Sequence, residues 1–217
     1  TGLLPNTTYN YRMVGSNACG PYYGANMTFT TNPISPTVVT VAANGITPTE
    51  AILNGTINAN FSSTTPSFEY GLTTSYDGTL NATPESVNGN IITGVSAVLT
   101  GLTPNTTYNY RVKGISTGGT SNGTNISFTT LPLLPDAVTL GYTEPTYTSI
   151  TLHGRVNANN ATTTSWFEYG LTDAYGLTAA ATPSPVSGTT DTEISADITG
   201  LTGNQVYHYR VVSVNAA

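Results

Sequence analysis

Asparagines in the Asn-x-Ser/Thr pattern are the residues of this chain whose type and spacing most directly suggest chemistry. The pattern marks an acceptor for an N-linked sugar, and about six of the 21 asparagines would fit it by composition alone. Two pairs recur 99 residues apart, Asn6 with Asn105 and Asn26 with Asn125. We expect seven of the acceptors, all except Asn81 and Asn122, to be able to carry a sugar without disturbing packing. The nine candidates are Asn6, Asn26, Asn54, Asn60, Asn81, Asn105, Asn122, Asn125 and Asn160.

Catalytic or metal-binding patterns are not found in the sequence. His153 and His208 stand 99 residues after Asn54 and Asn109, so neither histidine recurs at the spacing at which the two asparagine pairs recur. Cys19 is the single cysteine, which excludes a disulfide within the chain. The acidic residues do not have the spacing of a calcium loop, and they include Asp77, Asp173, Asp191 and Asp197. We therefore predict no enzyme activity, no metal site and no cofactor.

Composition excludes several classes of partner. The net charge is −6 with a single lysine, so the chain has no basic surface for nucleic acid. No apolar run reaches the eighteen or so residues that a membrane helix needs. Charged residues make up only 7% of the chain, and Thr, Ser, Asn and Gly supply most of its polarity.

A repeat of 99 residues organises the sequence. The stretch TGLLPNTTYNYRMVG at 1–15 returns as TGLTPNTTYNYRVKG at 100–114 and, more diverged, as TGLTGNQVYHYRVVS at 199–213. Apolar and polar residues alternate within the repeat, as at 51–57, which predicts six or seven short strands separated by Gly, Pro and Asn. The prediction is an all-β chain of antiparallel sandwiches.

The segment Leu102–Tyr108, which leads into Tyr110 and Val112, resembles the turn between strands E and F of fibronectin type III domains. Phe68–Gly71 resembles strand C and Phe128–Thr130 the end of strand G. The resemblance covers nearly the whole chain, and it is to the tandem immunoglobulin-like domains found on bacterial and archaeal surface and extracellular proteins. It divides the chain into strands F–G of one domain (1–32), a complete domain (33–131) and a domain without strand G (132–217).

The resemblance implies roles for several residues. The tyrosine of the E–F corner bonds back to the main chain in that family, and its counterparts here are Tyr9, Tyr108 and Tyr207. Strands C and F are neighbours, which predicts structural cross-strand pairs of Glu69 with Arg111 and of Glu168 with Arg210.

One departure from the family concerns the core. The family usually has a Trp on strand B, where this chain has Gly55 and Gly154. We expect the aromatic rings of the complete repeat to fill that space; they are Phe68, Tyr70, Tyr108 and Tyr110. Trp166 is expected on the opposite face of strand C, covering the outer surface of the sheet or contacting a neighbour or a sugar.

The joints between repeats are Pro33–Pro36 and Pro132–Pro135. Two prolines separated by two residues give a short, stiff connection, and we expect the apolar residues between them to pack against an adjoining domain.

These observations favour a structural segment of an extracellular or cell-surface fibre that self-associates or continues into further repeats and carries glycans. Position 217 aligns with Cys19, so residues 20–31 of another copy would continue the third repeat in register. Two interpretations stay open: a window on a longer array, or subunits that complete one another by strand addition as in pilins. Alternative functions are an adhesin or carbohydrate-binding module, suggested by Tyr22, Tyr23 and Trp166, and a spacer in a secreted polysaccharide-active enzyme.

Overall fold

The structure, a computed structural model, describes residues 2–217, so Thr1 at the start of the predicted fragment 1–32 lies outside the described residues. Regular structure in this range is entirely β-strand, and the strands pair antiparallel. The predicted all-β antiparallel class is thus confirmed. The chain forms two compact units: unit 1 comprises residues 2–46, 50–100 and 107–128, and unit 2 comprises residues 47–49, 101–106 and 129–217.

Twelve of the strands in the described range begin in unit 1. They are β1 (Thr8–Tyr11), β2 (Val14–Asn17), β3 (Gly20–Tyr23), β4 (Met27–Thr30), β5 (Thr37–Asn44), β6 (Glu50–Asn58), β7 (Thr65–Gly71), β8 (Gly78–Asn81), β9 (Thr93–Thr100), β10 (Thr107–Ser116), β11 (Gly119–Asn122) and β12 (Ile126–Thr129). Strands β1 and β4 form one two-stranded sheet, and β2 and β3 form another.

Two larger sheets of unit 1 face each other as a sandwich. One has the order β5-β6-β9, and the other has the order β11-β10-β7-β8 with β12 also paired to β10. Alternation decides which side chains enter the core: Leu53 and Ile57 of β6 are fully buried, and so are Phe68 of β7 and Tyr110 of β10. The Tyr110 hydroxyl donates a hydrogen bond to the Val41 carbonyl of β5, and burial raises its pKa to about 12.

Unit 2 repeats this arrangement with six strands. They are β13 (Asp136–Thr143), β14 (Ser149–Asn157), β15 (Thr164–Gly170), β16 (Leu177–Ala180), β17 (Thr192–Thr199) and β18 (His208–Val214). The sheets are β13-β14-β17 and β16-β15-β18. Residues from both sheets meet in the core, including Val156 and Phe167, which are fully buried. The Tyr209 hydroxyl donates to the Leu140 carbonyl over 2.7 Å, so the bond between the sheets recurs 99 residues after that of Tyr110.

The structure differs from the sequence predictions in two places. Residues 33–131 hold eight strands instead of six or seven, because β8 lies in a stretch rich in turn residues and the last strand is broken into β11 and β12. The space beside Gly55 is filled by Val112, since a Cβ at residue 55 would lie 2.9 Å from the Val112 Cβ. The linker side chains expected to pack against an adjoining domain are partly or largely exposed, with exposed fractions of 49% for Ile34 and 70% for Leu134.

Candidate functional site

A cluster of charged and aromatic side chains lies on the outer face of the sheet formed by β7 and β10. Glu69 is opposite Arg111 in the register of the two strands. Arg111 Nε donates to Glu69 Oε2 over 2.8 Å, and Lys113 Nζ lies 2.7 Å from Glu69 Oε1. The guanidinium of Arg111 lies 4.5 Å from the ring centroid of Tyr76, within the range of a cation–π interaction.

The same arrangement occurs in unit 2 with one cation fewer. Arg210 Nε donates to Glu168 Oε2 over 2.8 Å, and the guanidinium lies 4.6 Å from the ring centroid of Tyr175. The position that corresponds to Lys113 holds Val212. Tyr76 and Tyr175 both have a left-handed backbone, with φ of 50° and 58°, which is uncommon for a bulky residue. Strand alternation does not identify these two tyrosines, because they lie in turns; their only signal in the sequence is that they recur 99 residues apart.

Glu69 is held as a carboxylate by its neighbours. Burial raises the pKa of this carboxyl, but the hydrogen bonds and positive charges of Lys113 and Arg111 outweigh burial and hold the pKa below its usual value. Both oxygens are occupied by ion pairs, so the group is poorly suited to transfer a proton near neutral pH. The cluster thus joins β7 to β10 through ion pairs on the outer face of their sheet.

We expect the variant Glu69→Gln to be destabilised by about 1 kcal/mol near pH 7. The folded-state pKa is lowered, so this stabilisation exists above the ordinary pKa of 4.5 and is lost as the pH falls through the folded value. Urea unfolding of the wild type and the variant at pH 7 and pH 3 measures the difference. Glu168→Gln is the matched control: its partner Arg210 is more exposed, and the expected loss is below about 0.5 kcal/mol. Equal losses for the two variants at both pH values would contradict the prediction.

Asparagines line a second repeated feature, a joint between the turn that precedes β1 or β10 and the loop that follows β6 or β14. In unit 1, Asn6 Nδ2 donates to the Phe61 carbonyl over 2.8 Å. In unit 2, Asn105 Nδ2 donates to the Asn160 carbonyl over the same distance. Asn160 Nδ2 returns a bond of 2.8 Å to the Pro104 carbonyl. We call these residues the asparagine joints.

The backbone at the asparagine joints is left-handed. Asn6 and Asn105 have φ of 45° and 48°, and Asn160 has φ of 65°. Asparagine tolerates this conformation better than other residues with a side chain except aspartate, so its repetition at these turns has a conformational reason. The linkers are also tied down by asparagines, since Asn60 donates to the Ser35 carbonyl and Asn159 to the Leu134 carbonyl.

These contacts bear on the nine glycosylation candidates. The side-chain nitrogen donates a hydrogen bond in seven of them, which are Asn6, Asn26, Asn54, Asn60, Asn105, Asn125 and Asn160. Asn54 alone donates to the carbonyls of Ala42 and Ile52 and to the side chain of Asn44. In each of these seven, a sugar would replace one of the two amide hydrogens of a nitrogen that already donates a hydrogen bond. Asn81 and Asn122 are exposed, and among residues 2–217 no hydrogen bond of their side chains is seen.

If the chain is glycosylated, we expect Asn81 and Asn122 to have the highest occupancy and Asn105 and Asn160 the lowest. A sugar on a nitrogen that is already bonded inside a joint replaces one of its two amide hydrogens and crowds the bonded contact, whereas in residues 2–217 the side chains of Asn81 and Asn122 make no such bond. Glycopeptide mass spectrometry of native material measures the occupancy site by site. Full occupancy at Asn105 with bare Asn81 would contradict this order.

Two predicted tyrosine corners have the expected geometry. The Tyr9 hydroxyl accepts a bond of 2.7 Å from the Leu4 amide, and the Tyr207 hydroxyl accepts one of 3.0 Å from the Thr202 amide. Tyr108 occupies the equivalent place, buried and stacked on Phe128 with ring centroids 5.9 Å apart.

The other predicted residues are dispersed and engaged locally. Thr143 Oγ1 lies 2.7 Å from His153 Nε2, and His208 is exposed at the start of β18. Trp166 is half-buried on the outer face of β15. Arg12 lies 4.0 Å from the ring centroid of Tyr23, so that ring is partly covered.

Within residues 2–217, no three His, Cys, Asp or Glu side chains form a group that could hold a metal ion. The same residues contain no helix with the length and apolar character of a membrane span.

A cavity of about 420 Å³ opens in unit 2 beside Tyr207 and Tyr209. Its apolar wall includes Ile150 and Leu201. Residues at the equivalent positions of unit 1 surround an aromatic ring: Phe128 packs against both Tyr108 and Tyr110, with centroid distances of 5.9 Å. The cavity is thus a place where the fold accommodates a phenylalanine.

Of the known proteins compared with this chain, only solved structures are similar to it. No family model and no curated protein matches the chain. The chain is similar to the sensor domain of the anti-sigma factor RsgI4 of Pseudobacteroides cellulosolvens, with 24% identity over 46% of this chain and 97% of that one and a TM-score of 0.37. It is also similar to the chicken CNTN1 FN1–FN3 domains, with 14% identity over 98% of this chain and 71% of that one and a TM-score of 0.32.

Proposed function

We propose that this chain is a non-catalytic structural segment of an extracellular or cell-surface fibre built from fibronectin type III-like repeats. The observation that carries the proposal is the pair of asparagine joints, in which the same hydrogen bond forms at 2.8 Å in both units at a spacing of 99 residues. A joint that recurs in this way specifies how one repeat meets the next, which is what an array that bears load requires.

The outer-face cluster supports the same role. Its carboxylates are paired with arginines on the neighbouring strand, and its tyrosines cover those arginines. Charges used in this way fix the register of the sheet and leave no acid or base prepared for catalysis. The many Thr, Ser and Asn side chains keep the surface hydrated with few charges, as suits a secreted protein that carries glycans.

Immunogold labelling of native material with antibodies raised against this chain tests the proposal. We expect gold particles in rows along filaments at the cell surface or in the surrounding matrix, and loss of the label when the antibody is first absorbed with the purified chain. Labelling confined to the cytoplasm would overturn the proposal.

The contribution of a joint can be measured inside unit 2. We expect Asn105→Ala to speed hydrogen exchange in the loop between β14 and β15, residues 158–161, about fivefold, because one hydrogen bond contributes about 1 kcal/mol. Asn204→Ala is the matched control: Asn204 is also left-handed, with φ of 59°, and in the described part of the chain its side chain makes no hydrogen bond. Both variants bear the cost of the backbone conformation, so exchange that rises equally in the two would show that the joint bond contributes nothing.

A further inference from the structure

We propose that the fold selects Asn88, among four asparagines followed by glycine, as a site of spontaneous modification to aspartate and isoaspartate through a cyclic imide with Gly89. This inference goes beyond the proposed function and does not depend on it, because it concerns a covalent change that the chain makes in itself. Asparagine is a thermolabile residue, and a following glycine favours ring closure because it has no Cβ.

The reaction needs water as its only other reactant. The amide nitrogen of Gly89 attacks Cγ of Asn88 and forms a C–N bond, while solvent carries its proton to the side-chain nitrogen, which leaves as ammonia. Water then opens the imide. Attack at Cγ gives aspartate, whereas attack at the main-chain carbon gives isoaspartate, in which the chain runs through the former side chain. The balance is asparagine plus water to aspartate or isoaspartate plus ammonia, with no oxidant or reductant.

Three of the four asparagine–glycine pairs are locked by strands. The four are residues 44–45, 54–55, 88–89 and 122–123. Asn54 and Gly55 lie inside β6, the central strand of its sheet, where an extended backbone keeps the glycine nitrogen away from the side chain. The Gly123 amide donates to the Val112 carbonyl over 2.8 Å, so its nitrogen is engaged. Asn44 ends β5, and its Oδ1 accepts from Asn54 Nδ2 over 3.2 Å.

The pair Asn88–Gly89 has no such lock. Both residues are exposed and lie outside the strands, and Gly89 has φ of 81°. In the described part of the chain, the Gly89 amide has no hydrogen-bond acceptor, so its nitrogen is available. The one bond seen there for the Asn88 side chain runs from Nδ2 to Ser86 Oγ at 3.3 Å, which leaves Cγ open to attack. This pair can close the ring without the prior opening of a strand.

Isoaspartate at residue 88 would lengthen the main chain between two anchors. On one side, the amide and the carbonyl of Val87 both bond to Thr64 over 2.9 Å. On the other side, the Gly89 carbonyl accepts from the Phe61 amide over 2.8 Å. Because isoaspartate adds one methylene to the chain between these anchors, the single bond at Gly89 should break before the pair at Val87. The conversion thus loosens the loop between β6 and β7 and adds one negative charge.

Unit 2 keeps this geometry without the reactive side chain. Residue 187 is serine, and the next residue, Gly188, has φ of 91°. The Gly188 carbonyl accepts from the Asn160 amide over 2.8 Å, as Gly89 does from Phe61. Serine has no amide to lose. The main-chain arrangement therefore does not require asparagine, and Asn88→Ser is a matched variant that keeps the loop and removes the reaction.

Ageing of the purified chain in mildly alkaline buffer tests the proposal. Peptide mapping by mass spectrometry follows each asparagine, and electron-transfer fragmentation distinguishes isoaspartate from aspartate. We expect Asn88 to convert at least about tenfold faster than the asparagines of the other three pairs, because those react only from a locally opened state. In concentrated urea, where the strands are unfolded, the four rates should converge. Equal rates for Asn88 and Asn54 in the folded chain, or the same tenfold preference in urea, would overturn the proposal.

Hydrogen exchange measures the consequence for the loop. We expect exchange of the Phe61 amide to speed about fivefold after ageing of the wild type, as for the loss of one hydrogen bond, and to stay unchanged in aged Asn88→Ser. Asn88→Asp supplies the charge without the methylene and should also leave Phe61 unchanged. The Asn160 amide of unit 2 is the internal control. Isoaspartate at residue 88 with unchanged exchange at Phe61 would overturn the loosening of the loop.

Discussion

Phe68→Ala is expected to cost about 3–5 kcal/mol of unfolding free energy in unit 1, which is the range for truncating a buried phenylalanine. The ring is fully buried and lies 6.3 Å from the ring of Tyr110, at the centre of the sandwich. Because its neighbours belong to two hydrogen-bonded sheets, they cannot collapse far into the space that the ring leaves. For a domain of about a hundred residues such a loss is a large part of the total stability.

Chemical denaturation followed by the fluorescence of the tyrosines measures this loss. Leu72→Ala, one residue beyond the end of β7, is the matched control, because Leu72 is largely exposed and its truncation should change the midpoint little. A loss below about 1 kcal/mol for Phe68→Ala would mean that the sandwich core is held elsewhere.

Gly55→Leu is expected to destabilise unit 1 by about 3 kcal/mol or more, since overpacking a closed core forces strained side chains or backbone shifts. Even the Cβ of a substituted residue would lie 2.9 Å from the Cβ of Val112, so the remaining atoms of leucine would overlap it. The same relation holds in unit 2, where a Cβ on Gly154 would overlap Val211.

A second substitution distinguishes this steric cause from a general intolerance of strand β6 to the replacement of its glycine. Val112→Ala by itself should leave a cavity and cost about 2 kcal/mol, but it should recover part of the stability when combined with Gly55→Leu. Strictly additive losses in the double variant would show that Val112 is not the obstacle. Gly94→Ala is the control for a glycine in a strand, since a Cβ there meets nothing within 4 Å.

The core illustrates how far the sequence could be interpreted. The alternation at 51–57 is that of a strand with one buried face, and Leu53 and Ile57 lie on the buried face of β6. The resemblance to fibronectin type III domains, and not alternation, indicated that Gly55 stands where those domains usually have Trp. Neither showed that Val112 from the facing sheet fills this space, because contacts between sheets depend on how the sheets stack and not on the period within a strand. Phe128 was missed as a core residue for the same reason, since its burial depends on two tyrosines of another strand.

For the asparagines, the sequence pattern is easy to see, but the contacts that these residues make can be found only from the structure. A sugar acceptor is defined by three consecutive residues, and that pattern is visible in any sequence. A joint is defined by where the side-chain nitrogen points, which depends on a left-handed turn and on a loop 55 residues away. The repetition of Asn6 and Asn105 was a signal for either meaning, and the structure shows the bonds that these residues make.

The asparagine joints have a consequence for how such a chain can change over time. The donor is asparagine in both units, but the acceptors are Phe61 and Asn160, whose side chains differ and which share a main-chain carbonyl and a left-handed backbone with φ of 66° and 65°. A bond to the main chain places no demand on the identity of the residue that accepts it. A copy with a substituted loop could therefore be inserted, duplicated or removed at such a joint without a matching change in its neighbour, so an array of this kind can alter its length by recombination and still connect each module correctly.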